Sequence, residues 1–138
     1  MTVARTDARP VASGASRTFL VADDNRDGAD ALSMVLRLDG GEVVTAYDGD
    51  AAVQAFAHAR AGVVLLDIWM PKRSGYDACR AIRQLPGGRE ALIVAVTGWG
   101  ESPFRQHSFE AGFDAHLVKP LDGQGLLAWL HDREHGAA

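Results

Sequence analysis

The 138-residue sequence predicts an α/β domain in which a five-stranded parallel sheet is doubly wound by five helices. Short apolar runs alternate with amphipathic helical patterns five times along the chain. Two of the runs are continuously apolar, as central strands covered on both faces must be. Gly or Pro follows four of the helical patterns as punctuation. Right-handed crossovers leave few topologies for such a series other than a parallel sheet with helices on both faces.

The strands are read at Thr18 to Ala22, Glu42 to Ala46, Val63 to Leu66, Leu92 to Val96 and Ala115 to Val118. The third and fourth are the continuously apolar, central ones, and the more polar second suits an edge. In the first helix, Ala31, Leu32, Val35, Leu36 and Leu38 form a stripe ended by Gly40-Gly41. Ala51, Ala52, Ala55, Phe56 and Ala59 mark the second, closed by Gly62, and Tyr76 to Leu85 the third, stopped by Pro86-Gly87-Gly88. Ser102 to Ala111 is a shorter fourth helix before Gly112, and the fifth runs from about Gly123 to Arg133. Residues 1–16 lack a period and large apolar side chains, so they read as a flexible tail. The domain spans 17–134, and 135–138 form its C-terminal end.

A net charge of -4 without a basic cluster argues against nucleic acid as a partner. No apolar run is long enough for a membrane span or shaped like a secretory signal, so the expected address is cytoplasmic. The lone Cys79 excludes an internal disulfide and reads as a small buried helix residue.

In open α/β sheets ligands bind beyond the carboxyl ends of the strands. Past its last apolar residue, the first strand carries Asp23-Asp24-Asn25, the third Asp67, the fourth Thr97-Gly98 and the fifth Lys119-Pro120. Three crowded carboxylates repel and call for a cation, and hard oxygen donors favour Mg²⁺ over zinc or copper. Beside such a cation the Asp67 carboxylate can attack an electrophilic phosphorus to form an acyl phosphate. Lys119 would balance the phosphoryl charge and Thr97 would donate to one of its oxygens. Singly, each feature has a bland explanation. Asp23 or Asp24 would serve as a helix N-cap, and a terminal Asp as a solvated turn residue. Their joint placement at four strand ends favours the chemistry.

These stretches resemble the bacterial response-regulator receiver family. The matching residues are Val21-Ala22-Asp23-Asp24-Asn25, Leu65-Leu66-Asp67-Ile68-Trp69-Met70-Pro71 with Gly75, Val96-Thr97-Gly98, Ala111-Gly112-Phe113-Asp114-Ala115 and Leu117-Val118-Lys119-Pro120. The resemblance implies that Asp67 is the phosphoacceptor and that Asp23, Asp24, Asp67 and the main-chain carbonyl of Trp69 hold Mg²⁺. It further implies that Thr97 and Lys119 contact the phosphoryl group and that the Lys119-Pro120 peptide is cis. The implied partners are a histidine kinase or histidine phosphotransfer protein, and a downstream protein docking on the face of the fourth helix, fifth strand and fifth helix. The Thr97 and Lys119 surroundings look most like receivers of hybrid histidine kinases, while the start at Met1 suggests a stand-alone, single-domain regulator without an output domain.

Two departures stand out. Receivers usually carry Tyr or Phe three residues before the lysine, a ring that reorients as the Thr moves; here the position is His116, which also titrates near neutral pH. It is either a protonation-sensitive switch or a partly exposed strand residue without a signalling role. Trp69 and Trp99, two residues past Asp67 and Thr97, occupy positions that govern water access in the family, and are expected to shield the acyl phosphate. His131 and His135, one helical turn apart, lack a third ligand and read as surface residues, as do His58 and His107. Trp129 reads either as core or as part of a partner-facing patch.

A phosphorylation-independent adaptor is disfavoured by the complete set of site residues. A phosphatase with an aspartate nucleophile needs a second carboxylate where Trp69 stands, and the first strand-helix turn is not a Gly-rich phosphate cradle. The expected role is a signalling switch that assists its own phosphorylation and dephosphorylation rather than an enzyme.

Overall fold

The computed structural model describes residues 2–6, 17–98 and 102–134; for 2–6, 102–106 and 134 the description is of backbone alone. The strands are β1 (Thr2–Thr6), β2 (Thr18–Ala22), β3 (Glu42–Ala46), β4 (Val63–Asp67), β5 (Leu92–Thr97) and β6 (Ala115–Val118). The helices are α1 (Arg26–Leu38), α2 (Gly49–Ala59), α3 (Gly75–Arg83), α4 (Ser102–Ala111) and α5 (Gly123–Glu134).

The sheet order is β1-β6-β5-β4-β2-β3. Strands β2 to β6 pair in parallel and are the five expected from the sequence. β4 and β5 are buried throughout their length, as the apolar runs that lead up to Asp67 and Thr97 require. β3, with its more polar sequence, lies at one edge.

β1 lies at the other edge. It pairs antiparallel with β6 from Thr2↔Val118 to Thr6↔Ala115, with a register shift between Val3 and Arg5. The expectation of a flexible tail is therefore corrected for Thr2–Thr6; the rest of that tail, at 7–16, lies outside the described residues. An edge strand presents unpaired backbone N–H and C=O groups, and a segment needs no apolar side chains to pair with them.

Side-chain alternation along the strands splits the core into two layers. Leu20, Val64, Leu66, Ile93 and Ala95 face α2 and α3, packing with Phe56, Cys79 and Ile82. Phe19, Val21, Val63, Leu65 and Val94 face α1 and α5, packing with Leu36, Leu126 and Leu130. Cys79 is buried in the first layer, as expected. Trp129 is partly buried against the second layer, with the Arg133 guanidinium 5.0 Å from its ring centroid.

Local chemistry fixes the helix ends. The Asp48 side chain accepts from Ala51 N at 2.7 Å to start α2, and Ser74 accepts from Asp77 N at 3.2 Å to start α3. α2 stops at Arg60 in the left-handed region (φ 49°), two residues ahead of the Gly62 stop read from the sequence. No helix among the described residues is long and apolar enough to cross a membrane.

Candidate functional site

The parallel register brings the strand ends together. Asp67 lies opposite Val96 and Thr97 opposite Val118, so Asp67, Thr97 and Lys119 end three adjacent strands. On the other side of β4, β2 delivers Asp23 and Asp24. One carboxylate oxygen from each of Asp23, Asp24 and Asp67 lies within 4.8 Å of the others. Among the described residues this is the group of acidic and imidazole side chains suited to holding a cation.

The bland alternative for the acidic pair does not hold. Asn25, not Asp23 or Asp24, caps α1, its side chain accepting from Gly28 N at 3.1 Å. Asp23 Oδ1 accepts from Asn25 N at 3.0 Å, which orients the carboxylate, while Asp24 is exposed.

Lys119 Nζ donates to Asp23 Oδ2 at 2.8 Å and lies 3.8 Å from Asp67 Oδ2. The Lys119-Pro120 peptide is cis, as the sequence reading expects, and Lys119 N donates to Thr97 O at 2.8 Å. Thr97 itself is buried.

Electrostatics mark Asp67. Burial, followed by the negative charge of Asp23, pushes its pKa up to about 7 despite the opposing field of Lys119. A carboxylate held among other carboxylates in a buried site is stabilised by a cation. Burial works against the Lys119 ammonium, yet its hydrogen bond to Asp23 and the fields of Asp67, Asp23 and Asp24 prevail and raise its pKa. Three carboxylates without nitrogen or sulfur donors fit Mg²⁺ in coordination chemistry.

The loop past Asp67 is held tightly against its strand. Gly75 N donates to Ile68 O at 2.7 Å, and a Cβ on Gly75 would overlap the Asp67 carbonyl oxygen. Trp69 in this loop is 51% exposed, its ring edge-on to Tyr76 with centroids 6.3 Å apart. Trp99 lies outside the described residues.

His116 is completely buried, which removes the reading of it as a partly exposed strand residue. It alternates with Ala115 and Leu117, which face α1 and α5, and its Nδ1 lies 3.1 Å from Ser108 Oγ on α4. Sequence reasoning missed Ser108, because an isolated Ser in a polar helix carries no local signal. His131 Nε2 lies within hydrogen-bond distance of Asp39 Oδ2, at 2.9 Å, while His135 lies outside the described residues. His58 and His107 are exposed, as expected.

Solved structures carry the same fold. The chemotaxis response regulator CheY4 of Vibrio cholerae is 28% identical with a TM-score of 0.79, over 85% of this chain and 98% of that one. The receiver domain of a sensor histidine kinase from Pseudomonas aeruginosa, solved with a magnesium ion coordinated in its active-site cleft, is 29% identical with a TM-score of 0.79, over 88% and 99%. A chain of the CheX-CheY-BeF₃-Mg²⁺ complex from Borrelia burgdorferi is 25% identical with a TM-score of 0.73, over 80% and 84%. The family described as the response regulator receiver domain matches residues 19–131. Because that match takes in every strand end that carries a site residue, the chain belongs to the response regulator receiver domain family of two-component signalling.

Proposed function

We propose that this receiver accepts a phosphoryl group on Asp67 from the phosphohistidine of a histidine kinase or histidine phosphotransfer protein. The observation that carries the reading is the cluster of Asp23, Asp24 and Asp67 within 4.8 Å, with the Lys119 ammonium beside it. Asp23, Asp24, Asp67 and the Trp69 main-chain carbonyl would hold Mg²⁺. Bound there, the ion supplies positive charge that screens Asp67 and the incoming phosphoryl oxygens. An Asp67 carboxylate oxygen bonds to phosphorus as the phosphorus–nitrogen bond of phosphohistidine breaks, and the imidazole leaves with the bonding pair. Lys119 balances the added negative charge, and the Thr97 hydroxyl donates to a phosphoryl oxygen.

The output face is the surface of α4, β6 and α5. β1 runs along the β6 edge, so a downstream protein docking there meets β1 or displaces it. Trp69 and Trp99 would limit water access to the acyl phosphate, so Trp69→Ala should shorten its lifetime. Turnover of a substrate is not the role; the phosphorylated state is the signal.

The test follows intrinsic tryptophan fluorescence through a Mg²⁺ titration and then addition of acetyl phosphate or beryllofluoride, with Asp67→Asn as control. A saturable Mg²⁺ response and a second change that Asp67→Asn abolishes support the reading. Silence at both steps, with no phosphoryl mass added to the protein, points instead to a phosphorylation-independent adaptor.

A further inference from the structure

Lys119 N donates to Thr97 O at 2.8 Å, so the end of β6 bonds toward β5. Backbone N–H and C=O groups along a strand point alternately to its two neighbours. Leu117 therefore also bonds toward β5, and the backbone groups of His116 and Val118 turn the other way, to β1. The pairing of Thr2 with Val118 and of Arg5 with His116 agrees, and the register shift leaves Ala4 as the extra residue of a bulge. Stripped of β1, β6 would be an edge of unpaired backbone donors and acceptors, a chemistry matched by another extended backbone. The same His116 turns its fully buried ring to Ser108 on α4, with Nδ1 3.1 Å from the hydroxyl oxygen. A strand on this edge thus meets the residue that joins β6 to α4.

Only Val3 in Thr2–Thr6 is a large apolar residue, so β1 brings little apolar area to its contact. Backbone pairing and tethering hold it instead. Residues 7–17 connect Thr6 to Thr18 across four strand spacings, about 19 Å. Eleven residues can reach about 36 Å, so the connection is made without stretching. A segment tethered in this way meets its site at a concentration on the order of millimolar.

We propose that the β6 edge is a strand-accepting docking surface for which β1 is a removable cover. A partner protein adds an extended segment antiparallel to β6, on the backbone of His116 and Val118, in the place of Thr2–Thr6. The proposal rests on the reading of α4, β6 and α5 as the output face and involves no step at Asp67. An edge made of backbone groups selects an extended conformation before it selects side chains. The tether sets the threshold, because a segment in free solution must outcompete a cover that is always at hand.

Amide hydrogen exchange of the full chain, read by NMR, tests the cover. Detachment of β1 exposes the His116 and Val118 amides and leaves Leu117, between them, bonded to β5. Protection factors at His116 and Val118 should be at least about 10-fold lower than at Leu117, the mark of local opening. Arg5→Pro removes a backbone donor at the bulge and restrains Ala4, so it should abolish protection at His116 and Val118. Leu117 should stay protected, which shows that the domain remains folded, and Arg5→Ala should match the parent. A synthetic peptide of residues 1–7, added at millimolar concentration to the Arg5→Pro protein, should restore protection at both amides. Equal protection at all three amides of the parent overturns the removable cover, and parent-like exchange in Arg5→Pro overturns pairing by β1. A peptide that leaves both amides unprotected overturns strand addition; if it shifts α4 or α5 amides instead, the output face stands without it.

Discussion

Lys119 Nζ is bonded to Asp23 Oδ2 at 2.8 Å and stands a further ångström from Asp67, at 3.8 Å. The ammonium offsets the negative charge of both carboxylates and sits on one that a cation would also claim. If Asp23 holds Mg²⁺ as proposed, Lys119 and the ion compete for its carboxylate. Lys119→Met should bind Mg²⁺ several-fold more tightly, yet accept phosphate from acetyl phosphate about 100-fold more slowly, as expected for the loss of a preorganised charge. Fluorescence titration and mass spectrometry read the two effects; weaker Mg²⁺ binding in the variant would falsify the competition.

The raised Asp67 pKa, about 7, makes stability depend on pH. A carboxyl whose folded pKa lies above its unfolded value, about 4, contributes stability that is full below that value and is lost as pH rises through the folded pKa. Metal-free protein should therefore weaken between about pH 4 and pH 7, by at most a few kcal/mol. Asp67→Asn should flatten this slope, and Mg²⁺ should restore stability at the alkaline end. Urea unfolding at a series of pH values, with and without chelator, checks all three. A slope unchanged in Asp67→Asn would assign the dependence to another group.

Gly75→Ala tests how the loop after Asp67 is held. The added Cβ would overlap the Asp67 carbonyl oxygen and come within 2.8 Å of Ile68 Cα. The backbone must shift, and with it the segment carrying the Trp69 carbonyl. Overpacking of this kind costs about 1–3 kcal/mol. Mg²⁺ affinity should fall about 10-fold, the usual scale for disturbing what orients a ligand. Parent-like Mg²⁺ binding would show that the Trp69 carbonyl is not in the shell.

Arg83 is a structural clamp at the end of α3. Nη1 donates to the carbonyls of Gly88 at 2.7 Å and Ala91 at 2.8 Å. Nε donates to Gly112 O at 2.9 Å, and Nη2 to Asp114 Oδ2 at 2.9 Å. Asp114 in turn accepts from Ile93 N at 2.9 Å, which ties the loops before β5 and β6 together. Arg83→Met strands a buried carboxylate and should cost about 3 kcal/mol. Denaturant midpoints measure it, while Mg²⁺ affinity of the folded fraction should not change.

Much of the site was legible because parallel strands place their carboxyl ends on one edge, so Asp23, Asp24, Asp67, Thr97 and Lys119 announce themselves by position alone. The central strands were legible for a related reason: two-sided burial leaves an unbroken apolar signature from Val63 to Leu66 and from Leu92 to Val96. β1 was not, because backbone pairing to β6 asks nothing of side-chain polarity. The Ser108–His116 contact was equally invisible, since it joins a helix to a strand across the core. Helix ends fell between: Asn25 outcompeted its acidic neighbours as the cap, a matter of side-chain geometry that composition does not record.

Cys79 is the sole cysteine, buried in α3, and burial pushes its thiol pKa up to about 12. Alkylating reagents attack the thiolate, which the folded chain scarcely presents at neutral pH. Labelling must wait for α3 to part from the sheet, and a single label completes it. The protein therefore carries its own stopwatch for local opening: the alkylation half-time, compared between metal-free, Mg²⁺-bound and beryllofluoride-bound states, reads out how far each ligand stills the helix that begins at the acceptor loop.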